Sequence, residues 1–223
     1  MTCRLFASLL LGFACTAGLH GDVIITEIMY NPDSDEGAAS RGEANKVEFV
    51  EIYNTGRKRV NMTGWLLMDE DGATGRMPRG TYIAAGEVVV LIPAECGEKE
   101  FRKAWGPKVR CIELKNWSSP GLLSLSNKPS ESNEVLQLRD ARINLVDQVN
   151  YDDEEDWPSD SPDGASIYLK PGKFNAEDND EGKNWAKSET GTHGAKDNEV
   201  TDIFNGQDVG SPGVVVVEEE GDE

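Results

Sequence analysis

The chain has 223 residues, 38% of them hydrophobic and 28% charged, and 22 basic against 41 acidic residues give a formal net charge of −19. That length is enough for one domain of ordinary size and excludes two large ones, and the charge disfavours a general nucleic-acid role because it repels phosphate backbones. The imbalance sits late: residues 150–223 carry 5 Lys/Arg against 21 Asp/Glu, which makes either a solvated acidic surface or a face for a cationic partner.

Residues 1–21 read as a secretion signal. Arg4 supplies the positive start, LFASLLLGFA over residues 5–14 the apolar stretch, and the cut falls after Ala17 or Gly21. The run is too short to anchor stably in a bilayer. Lipidation at Cys15 is the lesser alternative, because Phe13 stands where a lipoprotein cleavage box needs a small residue. The expected mature chain is exported, either soluble or attached at the cell envelope. It keeps Cys96 and Cys111, which in an oxidising compartment are most simply a disulfide, contributing about 3 kcal/mol in the chain-entropy model. Two buried free thiols are the alternative if export fails. No His or further Cys stands at ligand spacing for a metal.

In chain order, residues 22–30 (DVIITEIMY) are a β-branched run closed by Asn31-Pro32, and predict the first strand. Residues 33–45 are polar and aperiodic and predict a surface loop. Residues 49–53 (FVEIY) alternate, with Phe49, Glu51 and Tyr53 on one face and Val50 and Ile52 on the other. Asn54-Thr55-Gly56 supplies turn chemistry, and Trp65-Leu66-Leu67-Met68 follows Thr63-Gly64. Trp65 is the expected anchor between two sheets, with Phe49 and Tyr53 beside it. Residues 88–92 (VVVLI) predict a strand buried on both faces. Residues 97–105 (GEKEFRKAW) predict the one helix, with Phe101 and Trp105 sharing a face, as an excursion from the sheet clamped by the two cysteines.

Further strands are expected at residues 121–126 (GLLSLS), 134–138 (EVLQL), 144–151 (NLVDQVNY) and 165–169 (ASIYL). Eight or nine short strands with turns between them define an all-β sandwich or barrel. Beyond Lys170 the chain becomes polar and acidic. Residues 214–217 (VVVV) form an edge strand or are held off by the acidic residues after them, and the tail over residues 214–223 is expected to stay disordered.

Several of these pieces, in this order, resemble the lamin-tail domain family. They are Ile24-Ile25-Thr26-Glu27-Ile28, Glu48-Phe49-Val50-Glu51-Ile52-Tyr53-Asn54, Thr63-Gly64-Trp65-Leu66-Leu67, Ala85-Gly86-Glu87, Leu123-Ser124-Leu125-Ser126-Asn127, Val146-Asp147-Gln148-Val149 with Tyr151, Trp157-Pro158, Gly164-Ala165-Ser166-Ile167-Tyr168-Leu169, Asn184-Trp185 and Gly210-Ser211-Pro212-Gly213. The resemblance covers residues 22–213. It implies an immunoglobulin-like β-sandwich of the exported bacterial type, a non-enzymatic module with no catalytic residue to carry over. The helix is a departure from the family pattern, and no coiled-coil rod precedes the domain, so filament functions are not implied.

Chemistry is thinly furnished. His20 lies in the leader, and His193 lies in Thr190-Gly191-Thr192-His193-Gly194, a loop without an apolar neighbour, so a Ser-His-Asp or Cys-His arrangement lacks its parts. Asp69 with Asp71, Asp152 with Asp153, and Asp178 with Asp180 are the calcium candidates, although none follows the twelve-residue calcium loop, and ordinary solvation is the plainer reading. No other cofactor is expected. Arg57, Lys58 and Arg59 at a hairpin tip, and Lys99, Arg102, Lys103, Lys108 and Arg110 around the helix, either keep loops soluble or form a positive patch for an anionic envelope polymer or a protein partner. The expected function is an exported binding or display module. A calcium-stabilised adhesion module and a secreted hydrolase are the alternatives.

Overall fold

A computed structural model of the chain describes residues 22–34, 46–69, 72, 74–117, 125, 134–153 and 156–217. Residues 1–21 and the acidic residues 218–223 lie outside these, as do most of the expected strand at 121–126 and most of the expected loop at 33–45. The first half of the chain forms β1 (Val23–Met29), β2 (Phe49–Asn54), β3 (Val60–Asn61), β4 (Leu66–Met68), β5 (Thr74–Arg76), β6 (Tyr82–Ile83) and β7 (Val88–Pro93). The helix α1 (Glu98–Trp105) precedes β8 (Cys111–Leu114), β9 (Glu134–Arg139), β10 (Leu145–Tyr151), β11 (Ile167–Leu169), β12 (Trp185–Lys187), β13 (Lys196–Asp197) and β14 (Val209–Gly210).

These strands build two main sheets. One has six strands in the order β12-β11-β1-β2-β7-β8, the other four in the order β10-β9-β4-β5. Between them lies a core that takes Ile28, Val50, Ile52, Val89 and Leu91 from the larger sheet and Leu67, Leu136, Leu138, Val149 and Tyr151 from the smaller. The larger sheet is covered on its other face as well, which is why all seven residues of β1 are buried. There Phe49 meets Phe101 and Trp105 of α1 edge-on, at 5.6 and 5.9 Å between ring centroids, and Phe204 closes the cluster against Phe101 at 6.0 Å.

The helix is part of the sheet's connectivity rather than an excursion from it. Pairing between β7 and β8 is parallel, and two parallel neighbours need a crossover, which α1 provides. Its first turn begins at Gly97, which has no side chain to cap it; instead Glu113 of β8 accepts the Glu98 backbone N–H at 2.7 Å. The expected Cys96–Cys111 bridge is not formed: both residues carry thiols, Cys96 buried and Cys111 half-buried. Cys111 stands level with Val90 on the parallel ladder, whereas Cys96 lies in the turn after Pro93, where the strand has already run three residues, roughly 10 Å, past that level. Burial pushes the Cys111 thiol up to about 12.

The expected anchors divide between layers. Trp65 joins the intersheet core at its margin, 9% exposed. Phe49 belongs instead to the cluster under α1, and half-buried Tyr53 packs edge-on against Phe174 at 5.7 Å. The fully enclosed tryptophan is Trp117, whose indole N–H donates to buried Glu48 at 2.7 Å; the Leu125 backbone N–H donates to the same oxygen at 3.1 Å. Glu48→Ala strands two buried donors, so chemical denaturation is expected to show a loss of about 2–4 kcal/mol.

Candidate functional site

The outer face of β1 and β2 carries the most unusual chemistry in the molecule. A bulge in the pairing follows Ile25, after which Glu27 stands opposite Glu51, and both carboxyls are buried at 1% exposure. Burial pushes both above the usual carboxylate range. Glu51 goes well above it because the Glu27 charge adds to the effect.

Their hydrogen bonds account for the burial. Glu27 accepts from Ser166 Oγ at 2.5 Å, from the Ser211 backbone N–H at 2.8 Å and from Ser211 Oγ at 2.9 Å. Glu51 accepts from Thr26 Oγ1 at 2.8 Å and from the Gly213 N–H at 2.7 Å. Two glycines fit this covering segment closely. A Cβ on Gly210 would lie 3.0 Å from Glu27 Oε1, and Gly213 holds a φ of 89°.

His193 proves to sit in this neighbourhood rather than in an isolated loop. Its ring lies 5.6 Å from that of Tyr168, and both residues line a cavity with Glu27, Glu51, Phe174 and Val214. The cavity holds only about 10 Å³, the space of a single water. An acid pair, a histidine and a tyrosine are therefore brought together with no room for a substrate.

Two more buried carboxylates follow the same pattern. Asp147, at another bulge, accepts from the Ile25 N–H at 2.7 Å and from Asn179 Nδ2 at 2.8 Å; burial raises it to about 7. Asp208 accepts from the Ser34 N–H at 3.1 Å, from the Ser34 hydroxyl, and from Asn198 Nδ2 at 2.7 Å. In each case a buried acid ties the last third of the chain to the sandwich. None of the four was singled out as a site from the sequence. In strands that alternate, a carboxylate reads as a solvent-facing position, and its covering segment comes 184 residues after Glu27 in the case of Ser211.

The calcium candidates are scattered. Asp69 is buried, Asp71 lies outside the described residues, and the Asp153 N–H donates to Asp152 at 2.8 Å. Asp178 accepts from Asn175 Nδ2 at 2.8 Å and lies 3.7 Å from Lys173 Nζ, and Asp180 contributes charge near Asp147. Among the described residues no three of His, Cys, Asp or Glu converge in a metal-holding group.

The basic residues are partly spent within the chain. Arg102 pairs with Glu98 at 2.7 Å, Lys103 with Glu100 at 2.5 Å and Arg110 with Glu87 at 2.6 Å. Arg59 lies over the Tyr82 ring at 4.2 Å, with Arg57 and Lys58 exposed beside it. Lys99, Arg102 and Lys103 line a shallow depression with Pro107, and Lys108 borders a separate groove. No helix among the described residues is long and apolar enough to cross a membrane.

The Lamin Tail Domain model matches residues 17–153, more than half of the chain, and the protein belongs to that immunoglobulin-like family. No curated protein matches it. The matched range stops before β11 and β12, yet both extend the six-stranded sheet beside β1.

Proposed function

We propose that this lamin-tail protein is a non-catalytic module exported to the cell envelope, where it works by binding a protein or an anionic polymer. One observation carries the reading: the residues with the strongest chemical potential, Glu27 and Glu51, have their oxygens turned to Ser166, Ser211, Thr26 and Gly213 of the same chain. Catalytic acids need a substrate-sized space beside them, and the cavity this pair lines holds about 10 Å³. The export half of the proposal rests on the leader-like residues 1–21. The surface assigned to a partner is the face around exposed Lys99 and Lys103, where Glu98 and Glu113 also line the depression.

The test pairs a turnover screen of the exported protein on ester, glycoside and phosphoester substrates with sedimentation on insoluble anionic wall polymer. Expected are no turnover and retention that falls several-fold in a Lys99→Glu/Lys103→Glu variant. Turnover abolished by His193→Ala would overturn the binding reading in favour of a hydrolase.

A further inference from the structure

Beside the acid pair, and separated from it by residues 211–213, runs a groove of about 350 Å³, within the size range of small-molecule sites. One wall is the end of α1 and the loop after it, with Trp105, Pro107, Lys108 and Val109; the other is Gly194, Lys196 and the segment through Pro212 and Val214. Its surface is mostly apolar, yet it has a definite electrostatic sense on a chain whose net charge is −19. Lys108 and Lys196 both line it, and neither forms an ion pair among the described residues. Lys196 reaches across the end of the helix: its Nζ lies 3.6 Å from where a Cβ of Gly106 would stand.

The lining donors are not equally available. Ser211 gives both its N–H and its hydroxyl to Glu27, and Gly213 gives its N–H to Glu51. Trp105 also lines the groove, and its indole N–H is buried with no acceptor among the described residues. A buried donor left unmade costs about 1–3 kcal/mol, and a tryptophan in this position normally finds a partner.

We propose that this groove binds a small organic carboxylate with an apolar body, its charge held by Lys108 and Lys196 beside Trp105. The hydrocarbon part lies along Pro107, Val109, Pro212 and Val214. The two lysines favour an anion over a neutral ligand of equal size, and the lack of further polar groups disfavours a multiply charged phosphate or sugar. This proposal rests on the binding reading above and assigns it a second, separate surface.

Titration of the isotope-labelled full chain with octanoate, followed by amide and indole NMR, tests it. Octanoate is expected to shift the Trp105 indole N–H resonance, assigned with Trp105→Phe, together with the Gly106 and Gly194 amides, and to do so saturably. Octanol at the same concentration is expected to leave them in place. A Lys108→Gln/Lys196→Gln variant, whose other resonances report an intact fold, is expected to bind at least tenfold more weakly. Equal shifts with octanol, unchanged affinity in the double variant, or no shift with octanoate would each overturn the proposal. The last result would leave retention on wall polymer through Lys99 and Lys103 standing, so the two failures are distinguishable.

Discussion

Glu27→Ala is expected to be the most damaging single substitution in the protein, lowering the unfolding free energy by about 3–6 kcal/mol. It removes the acceptor for three groups at once: Ser166 Oγ and both donors of Ser211. Each buried donor so stranded costs about 1–3 kcal/mol, and the segment that covers β1 and β2 loses its hold. Glu51→Gln is expected to act in the opposite sense at alkaline pH. Burial and the Glu27 charge raise the Glu51 carboxyl well above its usual range, so the folded state holds a proton that the unfolded state releases. Stability from this source is fully present below about pH 4.5, the ordinary value of the group, and is lost as pH rises through the raised folded value. Glutamine imitates the protonated acid. Urea denaturation from pH 5 to 9 should show a shallower alkaline loss in Glu51→Gln than in the parent, and an unchanged slope would contradict a raised Glu51 carboxyl.

Asp147 carries the second large effect. Burial raises its carboxyl from 3.8 to about 7, a shift of about 3 units, or on the order of 4 kcal/mol of proton-linked stability. The sign is the same: the contribution is complete below about pH 4 and disappears as pH rises through about 7. Asp147→Asn keeps a carbonyl oxygen to accept the Ile25 N–H, now made to Oδ2 at 2.7 Å, and has no charge to bury. It should therefore match the parent in acid and exceed it by a few kcal/mol at pH 8. Equal stability of variant and parent at pH 8 would show that the native Asp147 site holds its charge without penalty.

Much of the fold was legible because its signals are local. Residues 49–53 do place Val50 and Ile52 between the sheets and Phe49, Glu51 and Tyr53 on the opposite face. The Phe101–Trp105 spacing does mark the buried side of a helix. What escaped depends on contacts distant in sequence. The four residues of β8, CIEL, are too short to show a period, so the parallel crossover through α1 was invisible. Glu27 and Glu51 look like solvent-facing positions until residues 211–216 cover them. His193 has no apolar neighbour in sequence, but it gains Tyr168 across the fold. Trp117 outranks Trp65 in burial because its indole N–H is answered by Glu48, a partner 69 residues away.

The claim on which the rest depends is that the buried acids serve as clasps holding the last third of the chain rather than as reacting groups. Hydrogen exchange at the Ser211 and Gly213 amides measures this directly, since both donate to the acid pair at 2.8 and 2.7 Å. At pH 5 both amides should exchange only with global unfolding, and Glu27→Ala should return Ser211 to the rate of an open chain. Fast exchange of both amides in the parent protein at pH 5 would mean that the carboxylates are open to solvent, and would contradict the clasp.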